Sequence, residues 1–197
     1  MVGNLNNGCK MGYMGNIDVA IVGGGPAGTA AAWTAADAGA EAHVFEKGVP
    51  RADRDGLGPD STDAAGLLDY WLDLMDFAPD EIPEDVVVRR LDGADFIGPS
   101  TEFNIDHTGI DASYPHFGLA FDRAAFDDWL RDTAESVGAT YEVGTSVTDV
   151  QSHQTNGEYS HTLTLSNGEE VDASTLILAD GPQRTVTMGA LDQFTPD

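Results

Sequence analysis

The sequence predicts an α/β fold: a parallel sheet with helices on both faces and a small antiparallel β-meander. Apolar runs typical of buried parallel strands occur at 17–22, 42–45 and 175–178. An alanine-rich segment with high helix propensity separates the first two runs. Alternating polar and apolar segments are separated by Asn-Gly pairs at 156–157 and 167–168, a pattern typical of tight hairpins. Together these observations indicate a βαβ beginning followed by a meander and a last parallel strand.

The helices are predicted from their start and stop residues. The first begins at Pro26, which suits a first helical turn, and stops at Gly39. Asp122 is predicted to cap a helix that Gly138 ends. A further helix is expected after Ser61 or Thr62, either of which can cap it, and its apolar residues are Leu67, Leu68, Trp71, Leu72, Met75 and Phe77. Further strands are expected within 84–91, 94–98, 117–121 and 141–143.

The charge is strongly acidic. The chain of 197 residues has 9 Lys and Arg against 34 Asp and Glu, a formal net charge of −25. Such a surface suits a salt-rich cytoplasm, because the Debye length near 1 M salt is only about 3 Å and like charges are then screened from one another. We therefore expect a halophile's cytoplasmic protein. Nucleic acid is not expected as a partner, since binding phosphates requires clustered Lys and Arg.

Other classes of site find no support in the sequence. With only Cys9, a disulfide framework or a thiolate metal cage is not expected, and the five histidines lack metal-ligand spacing. No general acid or base is nominated. Residues 1–15 contain no apolar run, so a disordered tail is expected rather than a signal peptide, with Met11 or Met14 as alternative starts. No transmembrane segment is expected, because the glycines at 23–25 interrupt the uncharged stretch.

The motif that carries chemistry is G-x-G-x-x-G, formed by Gly23, Gly25 and Gly28. Gly23 permits a tight strand-to-helix turn, Gly25 lets a pyrophosphate approach the backbone, and Gly28 allows close packing of helix and strand. Glu46 follows the second strand, 46 − 28 = 18 residues later, where a carboxylate can bind both ribose hydroxyls. It would also repel a 2′-phosphate. The pattern therefore favours FAD or NAD over NADP.

FAD is preferred over NAD because residues 47–121 interrupt the prompt βα repetition of an NAD-binding domain. The blocks IVGGGPAGTAAA, FEKG, FDRAAFDDWLRDTAESVGATYEVGTSVTDV and LILADGPQRTV also resemble those of geranylgeranyl reductase-like flavoproteins. These belong to the glutathione-reductase-type FAD superfamily, together with electron-transferring-flavoprotein dehydrogenases. The resemblance implies one Rossmann-like FAD-binding domain over 16–197, in which 47–121 is partly a substrate-domain-like insertion.

The resemblance also implies which residues approach the cofactor. Gly23, Gly25, Ala27 and Gly28 would hold the pyrophosphate, and Glu46 the adenosine ribose.

Four further residues are implied at other parts of FAD. Arg123, in the FDRAAFD block, would approach the flavin, although a solvated arginine at a helix start is an equal alternative. Val147 would present backbone groups near the adenine. Asp180 and Gly181 match a second family motif beside the cofactor, at the carboxyl end of a strand where open α/β sheets bind ligands.

The function implied is that of an FAD-dependent oxidoreductase that transfers hydride or electrons, with an unknown small-molecule or lipid substrate and an electron-transfer partner as a further possibility. Residues after Asp180 do not supply the family's later Gly-Asp motif, so we expect a truncated form. Two alternatives stay open. One is a non-catalytic dinucleotide-binding fragment or subunit that requires a separate C-terminal half. The other is an NAD-binding domain.

Overall fold

The computed structural model describes residues 16–49, 64–74, 78, 81–107, 114–155 and 157–191. The chain divides into two compact units, residues 1–49 with 131–197 and residues 50–130. Some sequence-based predictions lie outside the described residues: the tail at 1–15, the caps Ser61 and Thr62, and Met75 and Phe77.

The elements follow one another in chain order. They are β1 (Asn16–Val22), α1 (Pro26–Asp37), β2 (Ala42–Glu46), β3 (Ala64–Leu68), α2 (Asp69–Leu74), β4 (Val87–Leu91), β5 (Gly93–Ile97), β6 (Glu102–Asp106), β7 (Gly118–Asp122), α3 (Arg123–Ser136), β8 (Thr140–Val143), β9 (Val147–Thr155), β10 (Glu158–Leu165), β11 (Glu170–Leu178) and α4 (Thr185–Ala190).

The first unit is built on a six-stranded sheet in the order β8-β2-β1-β11-β10-β9. Strands β8, β2, β1 and β11 are parallel, whereas β10 and β9 are added antiparallel. This confirms the predicted α/β class. One detail differs, because the last meander strand and the last parallel strand are the same strand, β11. It pairs with β10 from Glu170 to Ala173 and with β1 from Asp172 to Leu178, so the meander extends the main sheet.

Two apolar clusters in the first unit hold helices and meander to this sheet. In one, Ala32 and Ala36 of α1 pack with strand residues such as Ile21 and Val44. The alanines are small, so the helix can lie close to the strands. In the other, Phe45 and buried residues of β9, β10 and β11 form a core with Val186 of α4 packed against it.

The second unit contains a three-stranded antiparallel sheet, β3-β7-β4, and the hairpin β5-β6. The strands expected within 84–121 are therefore confirmed, but the expected long helix is wrong at 64–68, where the chain forms β3. Leu67 pairs with Leu119 and Ala65 with Phe121 in that strand. Gly66 has low helix propensity, and sheet pairing outweighs the helical spacing of the apolar residues. Only α2 keeps the helical conformation.

The start and stop of α3 follow the predicted signals. Asp122 Oδ1 accepts hydrogen bonds from the N–H groups of Ala124 at 3.0 Å and Ala125 at 3.1 Å. Gly138 has φ +108°, a left-handed conformation suited to glycine after a helix. In the described parts of the chain, no helix is long and apolar enough to cross a membrane.

Candidate functional site

The glycine turn joins the carboxyl end of β1 to α1. Gly23 has φ +99°, and a Cβ there would lie 2.4 Å from the carbonyl oxygen of Ala179. Its N–H donates to the carbonyl oxygen of Phe45 at 2.9 Å, and the Ala179 N–H donates to the Val22 oxygen at 2.8 Å. The turn is therefore fixed between the ends of β2 and β11, and only glycine can occupy position 23.

The other two motif glycines differ in what surrounds them. A Cβ on Gly28 would lie 1.8 Å from the Gly23 carbonyl oxygen, so any side chain would force the helix away from the strand. A Cβ on Gly25 would meet nothing within 4 Å. Gly28 is thus required by the protein's own packing, whereas the space beside Gly25 suits a ligand that approaches the backbone.

The first turn of α1 presents N–H groups suited to an anion. Gly25 is the N-cap residue, Pro26 occupies the first helical turn, and no acidic side chain lies there. Ala27 is exposed. The first N–H groups of a helix have no partner within the helix, and the helix dipole favours negative charge at this end. A pyrophosphate therefore fits beside Gly25 and Ala27.

The carboxylate of Glu46 lies directly at the glycine turn. Its Oε2 accepts a hydrogen bond from Gly24 N–H at 2.5 Å, and its Oε1 accepts one from Gly48 N–H at 2.6 Å. Glu46 is the last residue of β2, which pairs in parallel with β1. The separation of 18 residues in the sequence thus becomes direct contact in space. A nucleotide bound at the turn would have its ribose within reach of this carboxylate.

The chain after β8 lies beside the end of β2. Thr145 N–H donates to the carbonyl oxygen of Glu46 at 2.9 Å, and Gly144 N–H donates to that of Gly48 at 2.9 Å. Val147 follows two residues later as the first residue of β9, and its side chain is buried in the core beneath the meander. The side chain of Val147 therefore serves packing, which leaves its backbone as the part that a ligand could contact.

The carboxylate of Asp180 lies after β11 and binds the start of α4. Its Oδ2 accepts hydrogen bonds from Val186 N–H at 2.8 Å and Thr187 N–H at 3.0 Å, and its Oδ1 accepts one from the Thr187 hydroxyl at 2.5 Å. Burial opposes its ionisation, but these hydrogen bonds outweigh burial and lower the pKa of Asp180. Gly181 follows with φ +71° and is exposed. Asp180 thus holds the loop beside Gly23 in place.

This edge of the sheet is where the strand order reverses. From β1 the chain passes through α1 to β2 on one side, whereas β11 lies on the other side of β1. Ligands of open α/β sheets bind at such a reversal, outside the carboxyl ends of the strands. Of the sequence-predicted site residues, the structure gathers Gly23, Gly25, Ala27, Gly28, Glu46, Asp180 and Gly181 at this edge, with the segment leading to Val147.

Arg123 belongs to the second unit. It is the first residue of α3, and its Nε donates to Asp127 Oδ1 at 2.8 Å, one helical turn later. Its role at the flavin stays a prediction. No group of three or more His, Cys, Asp or Glu within the described ranges could hold a metal ion.

Three residues of the site escaped the sequence analysis. Gly24 and Gly48 supply the N–H groups that bind Glu46, and the hydroxyl of Thr29 donates to the Gly24 carbonyl oxygen at 3.1 Å. Nothing in the glycine spacing marks the first two. A threonine within a run of alanines was the available clue to the third, because a polar residue on the buried face of such a helix requires a hydrogen-bond partner.

Comparison with known proteins gives a consistent picture. Residues 18–181 match the model of a family described as FAD dependent oxidoreductase. The chain is 35% identical over 167 residues to a menaquinone reductase of Mycobacterium tuberculosis, covering 83% of this chain and 37% of that protein. It is 29% identical to digeranylgeranylglycerophospholipid reductase 1 of Methanosphaera stadtmanae, covering 84% of this chain and 38% of that protein.

A solved structure shows the same fold. The geranylgeranyl bacteriochlorophyll reductase-like protein of Thermoplasma acidophilum superimposes with a TM-score of 0.68 and 26% identity, covering 88% of this chain and 41% of that one. The chain therefore spans about two fifths of the length of these three relatives.

Proposed function

Because this chain belongs to the family of FAD-dependent oxidoreductases, we propose that its glycine turn binds the ADP half of FAD. The observation that carries the proposal is the contact of 2.5 Å between Glu46 Oε2 and Gly24 N–H. This contact supports the proposal because it brings the carboxylate proposed to bind the ribose next to the turn that leads into the helix start proposed to bind the pyrophosphate. One dinucleotide can contact both groups only if they are no farther apart than its ribose and its pyrophosphate.

Each residue has a proposed part in holding the cofactor. Backbone N–H groups at Gly25 and Ala27 would bind the pyrophosphate, and Gly23 and Gly28 would shape the turn that presents them. Glu46 would accept hydrogen bonds from the ribose hydroxyls and exclude a 2′-phosphate by charge repulsion.

The remaining site residues complete this proposal. The backbone of Val147 would lie near the adenine, and Arg123 would approach the flavin. Asp180 would hold Gly181 and the loop after β11 against the glycine turn, with its carboxylate bound to α4. Bound FAD would supply the transfer of hydride or electrons, while the protein binds and orients it.

The proposed reaction is that of a geranylgeranyl reductase-like oxidoreductase. The names of two relatives described above include the word geranylgeranyl, and a third relative is a menaquinone reductase. The substrate of this chain is proposed only as a small molecule or lipid, with residues 47–121 contributing to its site, and an electron-transfer partner is a further proposal. A cytoplasmic, salt-rich setting is proposed from the net charge of −25.

A second candidate function is a dinucleotide-binding module that depends on another polypeptide for catalysis. It is the alternative to the first proposal for a chain that aligns with 37% and 38% of the two curated relatives. Such a module would bind FAD as described but would not reduce a substrate unless the complementary polypeptide is added.

Identification of the bound cofactor tests the proposal. The protein is purified in molar KCl and denatured, and the released nucleotide is analysed by absorbance and mass spectrometry. We expect FAD, or after removal of endogenous cofactor, saturable binding of added FAD. Release of NAD without flavin absorbance, or the absence of any binding of FAD or ADP, would contradict it.

A further inference from the structure

The hydroxyl of Thr29 lies inside the protein, next to the glycine turn. Thr29 is 1% exposed and belongs to the first turns of α1. Its Oγ1 donates to the Gly24 carbonyl oxygen at 3.1 Å, five residues back and outside the helix. Threonine hydroxyls inside helices usually bond to a carbonyl three or four residues back within the helix itself. Thr29 therefore bonds the helix to the turn that precedes it.

Thr34 provides a contrast on the same helix. Its hydroxyl donates to the Ala30 carbonyl oxygen at 2.8 Å, four residues back, and the bond is exposed. Both hydroxyls donate to a backbone carbonyl, but Thr29 is buried and its acceptor belongs to the glycine turn, whereas Thr34 is exposed and its acceptor lies within the helix. Thr34 is consequently a control on the same helix.

The acceptor of the Thr29 hydroxyl determines the orientation of a neighbouring N–H group. In a trans peptide the carbonyl and the N–H point in opposite directions. Because Thr29 binds the Gly24 carbonyl oxygen, the Gly25 N–H of the same peptide points away from Thr29. A Cβ on Gly25 would also meet nothing within 4 Å.

Gly24 is held on both of its sides. Its N–H donates to Glu46 Oε2 at 2.5 Å, and its carbonyl accepts from Thr29. Without a side chain, Gly24 has more conformational freedom than any other residue, so two external hydrogen bonds are needed to fix its two peptide planes. Glu46 fixes the first plane and Thr29 fixes the second.

We propose that Thr29 is a positioning residue of the nucleotide site: its hydroxyl holds the Gly24–Gly25 peptide so that the Gly25 N–H faces the pyrophosphate. This inference rests on the proposed function, since it assigns a role toward the diphosphate of FAD. The alternative role for Thr29 is packing, in which its methyl group fills space beneath the helix and its hydroxyl is incidental.

Substitutions separate the hydroxyl from the methyl group. Thr29→Val keeps the branched shape and removes the hydroxyl, whereas Thr29→Ser keeps the hydroxyl and removes the methyl. Thr34→Val is the control. The dissociation constant of FAD is measured by flavin fluorescence in molar KCl on the full chain freed of cofactor, and the melting temperature of each variant is recorded alongside.

We expect Thr29→Val to raise the dissociation constant of FAD by about threefold to tenfold, the effect of one net hydrogen bond. Thr29→Ser should stay within about twofold of the wild type, and Thr34→Val should be unchanged. If Thr29→Val does not fold, Thr29→Ala is compared with Thr29→Ser, because both lack the methyl group and only serine retains the hydroxyl. Weaker FAD binding by the alanine variant is then the expected result.

Two results would overturn the inference alone. One is a wild type that binds FAD while Thr29→Val binds equally well. The other is weak binding by Thr29→Ser with normal binding by Thr29→Val, which would assign the residue to packing. A wild type that binds neither FAD nor ADP would overturn the proposed function, and this inference with it.

Discussion

At the residue scale, Glu46 is the side chain on which the account depends most. The sequence could predict it, because the distance along a βαβ unit from the third glycine to the end of the second strand varies little. The sequence could not predict its two hydrogen bonds to Gly24 and Gly48, since they depend on how the turn and the loop after β2 approach each other. The same holds for Thr29, whose acceptor lies outside its own helix.

Removing the charge of Glu46 tests its proposed role. In Glu46→Gln an NH₂ group replaces one of the two oxygens that accept the Gly24 and Gly48 N–H groups, so one of these hydrogen bonds is lost as well as a charged acceptor for the ribose. The loss of the charged acceptor alone costs about 1.5–3 kcal/mol, or roughly tenfold or more in affinity for ADP. The ratio of the affinity for ADP to the affinity for its 2′-phosphorylated form should fall as well. Isothermal titration with both nucleotides measures the two effects.

Glu170→Gln is the matched control for this test. Glu170 is an exposed carboxylate at the start of β11, whereas the site lies at the end of that strand. Its removal should change neither affinity. Equal nucleotide preference in Glu46→Gln and the wild type would refute the ribose-binding role.

At the element scale, the strands and helices next to the site were predictable and those farther along the chain were less so. β1, α1 and β2 carry local signals: apolar runs, a proline and a glycine stop. The apolar spacing from Leu67 onward predicts a helix, whereas the pairing of β3 with β7 depends on residues about fifty positions away or more. Contacts between residues that are distant in sequence leave no local pattern, so β3 could not be predicted from the sequence alone.

In the loop after β11, the hydrogen bonds that the Asp180 carboxylate accepts depend on pH. The pKa of Asp180 is lowered in the folded protein from its ordinary value of 3.8, so its ionised form stabilises the fold. This contribution is fully present above that ordinary value and is lost as the pH falls through the lowered one. We expect Asp180→Asn to lower the free energy of unfolding by about 0.5–1.5 kcal/mol near neutral pH, because the amide nitrogen cannot accept a hydrogen bond and part of the set of hydrogen bonds to α4 is lost.

The difference between wild type and Asp180→Asn should shrink as the pH falls below 3.8. Urea unfolding in molar KCl at a series of pH values measures it. Asp149→Asn, which removes an exposed carboxylate from β9, serves as the control. A difference that stays constant down to the lowest accessible pH would show that ionisation of Asp180 does not contribute.

At the scale of the whole molecule, the fold class and the net charge could both be obtained from the sequence. The class follows from βαβ signals and Asn-Gly turns, and the six-stranded sheet confirms it. The second unit, residues 50–130, ends within α3 and not at a loop, because the division reflects which segments contact one another. The net charge of −25 can be counted from the sequence alone, and its effect on stability depends on how strongly salt screens the charges.

Salt is therefore expected to stabilise the protein. Raising KCl from about 0.1 M to about 1 M shortens the Debye length from about 10 Å to about 3 Å, which weakens repulsion among the acidic side chains. The melting temperature should rise over this range, as followed by circular dichroism. Sucrose at matched osmolality separates screening from solute exclusion, since it leaves the charges unscreened. A melting temperature that is flat or falls with KCl would contradict the halophilic interpretation.

The most direct test of the account is the affinity of Gly25→Ala for FAD. Since a Cβ at position 25 would have no other protein group within 4 Å, the variant should fold with a stability within about 1 kcal/mol of the wild type. The added methyl group would stand where the pyrophosphate approaches, so FAD binding should weaken more than tenfold. Gly189→Ala, an equally open glycine in α4, should bind like the wild type. Wild-type affinity in a folded Gly25→Ala variant would show that the cofactor binds elsewhere.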